Sequence, residues 1–214
     1  MRMRYALIFC LVSSLGLAAS PTPPHVSSIS PIFHQLVVFS LPPEFTSPNA
    51  AYERTNGSFY IREHVPQGET VEHWTQMITV TGTKDLASNQ NATPRGFVSR
   101  LANGFATHCP DTFATADLGP QMVGDYQGYA LIASCGHVQS GAASYSETAI
   151  VLAFKGSADY YTIQWARHGA DSKHPLTLDN TYWSKQFDRL RPIRLCAIVP
   201  GEAAPYPSCV GNGN

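Results

Sequence analysis

"AIVLAFKGSADYYTIQWARHG", residues 149–169, decides the fold. Ile150, Leu152 and Phe154 alternate with Val151 and Ala153, and Tyr161, Ile163 and Trp165 alternate with Thr162, Gln164 and Ala166. Two period-two runs joined by Lys155-Gly156-Ser157-Ala158-Asp159 predict a β-hairpin. Lys155 and Asp159 then flank the turn as an exposed ion pair worth under about 1 kcal/mol. The aromatic residues pack a sheet face. Lysine, aspartate, tyrosine and histidine also build active sites, but here the pattern gives them structural work first.

The same period recurs upstream. "HQLVVFSLP" (34–42), "SFYIREHVP" (58–66) and "WTQMITVTG" (74–82) read as strands, and "TFATADLG" (112–119) and "YQGYALIASCGHV" (126–138) as two more. Between them the period changes. In "TPRGFVSRLANGFATHC", Phe97, Leu101 and Phe105 fall four apart, after Thr93 as N-cap and Pro94 at the first helical position. A final helix is expected over 179–192, with Trp183, Phe187 and Leu190 on one face and Pro192 as its stop. The order β-β-β, α, β-β-β-β, α predicts an α+β class: a mostly antiparallel sheet with two main helices packed on it, in one domain over residues 34–199.

Residues 1–20, "MRMRYALIFCLVSSLGLAAS", have two arginines, a short apolar run and a small-residue exit, which predicts a secretory signal peptide. Residues 21–33, rich in Pro and Ser, read as an extended leader, and 200–214 as a tail tied by a possible disulfide. No later run is apolar enough for a membrane span in the mature chain. The chain has 14 Lys and Arg against 15 Asp and Glu, and loss of Arg2 and Arg4 leaves it net acidic. With no basic cluster to neutralise phosphates, nucleic acid is not an expected partner.

Cys10 leaves with the signal, so Cys109, Cys135, Cys196 and Cys209 remain. An even number in an oxidising compartment predicts two disulfides, of three possible pairings. Cys109–Cys135 with Cys196–Cys209 is preferred because each joins sequence neighbours across one element boundary. A zinc framework would show close C-x2-C pairs, and none exists.

The early "VVFSLPPEF", the strand–loop–strand "FYIREHVPQGETVEHWTQMITV" and the long hairpin before a C-terminal helix resemble the PsbP/Mog1-like group of α/β/α sandwich domains. "HVPQGETVEHWTQMITV" is also similar to a pattern in exported bacterial proteins. The resemblance spans about residues 34–199. It implies a binding or assembly factor rather than an enzyme.

Nucleophile elbows, P-loops and metalloprotease helices are absent from the sequence. Cys135 and His137 share a strand face, so the imidazole could activate the thiol, but an oxidised cysteine is the expectation. His64, Glu69 and His73 could gather as zinc ligands only if their loop folds back, since Glu63 and His64 point to opposite faces. Glu72 lies in the same polar loop, and His168 and His174 form a second loop pair. Glu147, Asp159, Asp171 and Asp179 are the carboxylates that could pair for glycoside hydrolysis. Trp74 and Trp165 could stack on a flat ligand. Asn56 and Asn91 stand in glycosylation sequons.

The reading assigns no catalytic, cofactor-binding or metal residue, only the four disulfide cysteines. It expects a secreted or periplasmic, non-enzymatic binding domain whose partner is a protein or a cell-envelope component. The alternative is a small secreted hydrolase whose site forms only in the fold, marked by a pocket that holds two or more of His64, His73, Asp159 and His168 within hydrogen-bond reach. A small-ligand carrier would instead show an apolar cavity between sheet and helix.

Overall fold

A computed structural model describes residues 26–45 and 50–210. The signal segment and residues 21–25 of the leader lie outside the described residues. Ten strands run in chain order: β1 (Val26–Ile32), β2 (Gln35–Leu41), β3 (Tyr52–Asn56), β4 (Phe59–His64), β5 (Gln76–Thr83), β6 (Phe113–Val123), β7 (Tyr126–Ser140), β8 (Ala143–Lys155), β9 (Tyr160–Gly169) and β10 (Arg194–Ala197). The helices are α1 (Pro94–His108), α2 (Asn180–Arg189) and the short α3 (Pro207–Val210).

Seven strands form one sheet in the order β3-β4-β5-β9-β8-β7-β6, antiparallel throughout. The chain passes through β3, β4 and β5, crosses by α1 to the far edge, and returns from β6 to β9 beside β5. The expected hairpin is β8–β9, in a register that sets Ile150 opposite Trp165 and Glu147 opposite His168. A second antiparallel sheet, β1-β2-β10, lies over one face of the first.

Side-chain period explains the layers. Ile150, Leu152, Phe154, Tyr161, Ile163 and Trp165 face the small sheet and α2, where Phe39, Val37, Trp183 and Phe187 meet them. The alternate residues Ala149, Val151, Ala153 and Ala166 face α1, whose Val98 and Ala102 are buried on them. Alanines there let the helix sit close to the sheet. Thr93 caps α1, its Oγ1 accepting from the Gly96 amide at 3.1 Å. All seven residues of β2 are buried. Its second face is covered by the C-terminal segment, with Leu36 and Val38 clustered around Cys209.

Two disulfides close the body. Cys109 at the end of α1 joins Cys135 of β7, with Cα atoms 5.6 Å apart, and Cys196 of β10 joins Cys209 of α3 at 5.7 Å. The antiparallel sheet agrees with the sequence reading, but strand takes 48% of the described residues and helix 19%, so the body is strand-dominated rather than a clear α+β domain with two main helices on it. Three strands account for the difference. Residues 26–32, read as leader, pair along the whole of β2 and bury Ser28 and Ser30, at 8% and 0% exposure. The "YERTN" of β3 is exposed at every position and carries no apolar period. Four-residue β10 is too short to show one. Among the described residues no helix is long and apolar enough to cross a membrane.

Candidate functional site

The two ends of β9 gather most of the polar candidates. At its end, the pairing of β8 with β9 puts Glu147 beside His168. Tyr145, two residues from Glu147 along the strand, falls on the same face. The loop between β4 and β5 is drawn over this spot by backbone, since the His168 amide donates to the Thr75 carbonyl at 3.0 Å. Within the loop, Thr70 and His73 exchange amide–carbonyl bonds of 3.1 Å. The Glu69 carboxylate accepts from the Thr75 amide at 2.6 Å and from its hydroxyl at 2.7 Å.

These ties hold Trp74 over His168. The imidazole lies between two rings, with centroids 3.6 Å from Trp74 and 3.8 Å from Tyr145 and tilts of 31° and 32°. His168 Nε2 is buried without a hydrogen-bond partner. Glu147 Oε2 stands 3.7 Å away, beyond hydrogen-bond length. The stack borders an open cleft of about 750 Å³, whose wall also carries Glu69, Glu72 and His73. Glu72 is exposed, and a hydrogen bond from Thr70 holds its carboxyl below the ordinary glutamate value.

At the start of β9 the chemistry differs. Asp159 is fully buried and accepts from the His34 amide (3.1 Å), His34 Nδ1 (3.0 Å), the Asp85 amide (2.9 Å) and the Tyr161 hydroxyl (2.9 Å). The expected exposed pair with Lys155 is therefore replaced by a buried anchor. Burial pushes the Asp159 carboxyl up, but the donors from Asp85, His34 and Tyr161 outweigh it and hold it below the ordinary aspartate value. Ligand atoms of His34, Asp85 and Asp159 lie within 4.8 Å of one another, a spacing that could hold a metal ion. Four donors already fill the lone pairs of the Asp159 carboxylate, so the cluster works as a structural tie.

A third cluster joins His137, Asp171 and Ser144. His137 Nδ1 meets Asp171 Oδ1 at 2.6 Å, and Ser144 Oγ donates to Oδ2 at 3.0 Å. The carboxylate stands between the other two. A nucleophilic relay needs the imidazole in that place, with the hydroxyl on it.

The remaining candidates are dispersed. Cys135 is oxidised, which removes the thiol. His64 points between the sheets against Phe39, with ring centroids 6.4 Å apart and both nitrogens buried and unpartnered. It therefore does not meet Glu69 or His73. Burial, aided by Arg62, pushes its pKa down to about 4. His174 is separate from His168; its amide and carbonyl bond Ser172 Oγ. Asp179 caps α2, Oδ1 accepting from the Tyr182 amide at 2.9 Å. Trp165 is buried and donates to Gln76 Oε1 at 3.2 Å. Asn56 and Asn91 are exposed.

His73 and His168 border one cleft, but among the described residues no hydrogen bond joins them. Sequence reading missed His34 and Asp85 beside Asp159 and, in the stack, Tyr145. Extending the alternation of β8 backward through "SYSETAIV" would have found it. Neither a family model nor a curated protein matches the chain.

Proposed function

We propose that the chain is an exported, non-enzymatic binding or assembly domain, acting in the periplasm or outside the cell, and that its partner docks at the cleft around His168. The carrying observation is the Trp74–His168–Tyr145 stack bordering open space. Partly exposed aromatic rings with a few polar groups are what a recognition site uses. The bonds made elsewhere support the same reading. Asp159 and Asp179 are engaged in tying and capping the fold, and the cysteines are in disulfides, which fit an oxidising compartment. The resemblance of residues 34–199 to the PsbP/Mog1-like group leans toward a binding or assembly role as well.

Affinity capture from the host's own envelope fraction tests the reading, with the wild-type chain and Trp74→Ala compared at equal far-ultraviolet circular dichroism. The expected result is a partner retained by the wild type and lost from the variant. Capture that is indifferent to Trp74, or hydrolytic turnover abolished by His168→Ala, would overturn it.

A further inference from the structure

Building on the binding reading, we propose that the cleft takes a basic side chain of a partner polypeptide, a guanidinium or ammonium group held between aromatic and carboxylate walls. Two kinds of lining converge on that chemistry. Trp74 and Tyr145 each cover His168 with one ring face and line the cleft with what remains exposed, and an exposed ring face attracts cations through its quadrupole. Glu69 and Glu72 line the same space, and among the described residues neither lysine nor arginine does. The two acids are not equivalent. Both Glu69 oxygens bond Thr75, so that residue shapes the loop, whereas Glu72 is exposed on the adjoining turn, with a hydrogen bond from Thr70 on its carboxylate. Glu72 is thus the carboxylate placed to meet an incoming charge.

Size is compatible. A cleft of about 750 Å³ exceeds what one side chain fills, leaving room for adjoining backbone. Glu147, 3.7 Å from His168 Nε2 and outside the cleft lining, adds negative field. A guanidinium suits these walls better than an ammonium, because its plane stacks on an indole while its edge forks onto a carboxylate. An acidic or phosphorylated partner would meet repulsion from the same groups.

The test is a titration of the full, disulfide-intact chain with acetyl-Gly-Arg-Gly-amide and with the same peptide carrying citrulline, an uncharged isostere of arginine. Tryptophan emission is the readout. Trp165 and Trp183 are 1% and 5% exposed, so a ligand-dependent change reports Trp74, and Trp74→Phe checks the assignment. The arginine peptide is expected to bind about tenfold more tightly than the citrulline peptide. Glu72→Gln, a change at an exposed site that leaves folding intact, should weaken it about fivefold, and added salt should weaken it further. Equal affinity for the two peptides, or an unaltered Glu72→Gln variant, overturns the cation assignment. Either result leaves partner capture through Trp74 standing, so the two readings fail separately.

Discussion

The two ends of the ten-residue strand β9 treat their polar groups in opposite ways. At the start, Asp159 is fully buried and holds four donors from three chain segments. At the end, His168 keeps a ring nitrogen without a partner and is held by aromatic faces instead. A buried charge persists only when its lone pairs are filled, so the first end is committed to the fold. Stacking leaves the aromatic wall bordering an open cleft, so the second end can serve a ligand. Within one hairpin, saturation separates the structural cluster from the candidate site more sharply than residue type does.

The contrast is broken most directly by Asp159→Ala. It strands the Asp85 amide, the His34 amide and the Tyr161 hydroxyl at once. The expected loss is about 4 kcal/mol, or roughly 8–16 °C in Tm for a chain of this size. Denaturant unfolding and calorimetry would measure it. Asp159→Asn retains one acceptor oxygen and should lose about half as much. A loss below about 1 kcal/mol would mean that the corner is not an anchor.

His64 sharpens the comparison because it is buried like Asp159 and unpartnered like His168. Its pKa falls from the ordinary 6.5 to about 4 in the folded chain. Between those values the unfolded state binds the proton and the folded state does not. The stability His64 contributes is therefore complete above about pH 6.5 and is lost as pH falls toward 4, about 3 kcal/mol over the window. Asp159, with its carboxyl held below the ordinary 3.8, loses its contribution only at lower pH. Stability followed from pH 7 to 4 should decline in the wild type and stay nearly flat over this window in His64→Leu. Parallel curves for the two proteins would refute the assignment.

How much of this was legible in the sequence depended on whether each signal was local. Periods of two and four disclosed β2, β4, β5, β6, β7, the β8–β9 hairpin, α1 and α2, because each shelters one regular face or runs continuously apolar. β3 escaped because its five side chains are all exposed. β1 escaped because its serines and Pro31 read as leader, although Ser28 and Ser30 are buried and Ser30 Oγ accepts from Arg62 across the sheets. In the site, Trp74 and His168 were each conspicuous, but their contact depends on a loop pinned by the Thr75 carbonyl, a bond between residues far apart in sequence. The Asp159 tie was illegible for the same reason. His34 stands 125 residues away, and a turn position looks identical whether its carboxylate is wet or buried.

The smallest effect tests what holds the candidate site together. If the stack is an aromatic contact rather than part of a hydrogen-bonded network, Trp74→Ala and His168→Ala should each be mild, because both residues are partly exposed and His168 makes no side-chain hydrogen bond that truncation would strand. A double-mutant cycle isolates their coupling at about 1 kcal/mol, the range of a stacked pair beyond simple burial. Tyr145→Ala in the same cycle with His168 should give a similar value, since its centroid distance differs by only 0.2 Å from that of Trp74. Coupling near 3 kcal/mol would instead place His168 in a saturated network like that of Asp159 and erase the difference between the two ends of β9. Coupling near zero would show that the rings merely lie close, and the cleft would then lose the rigid wall on which recognition of a cation depends.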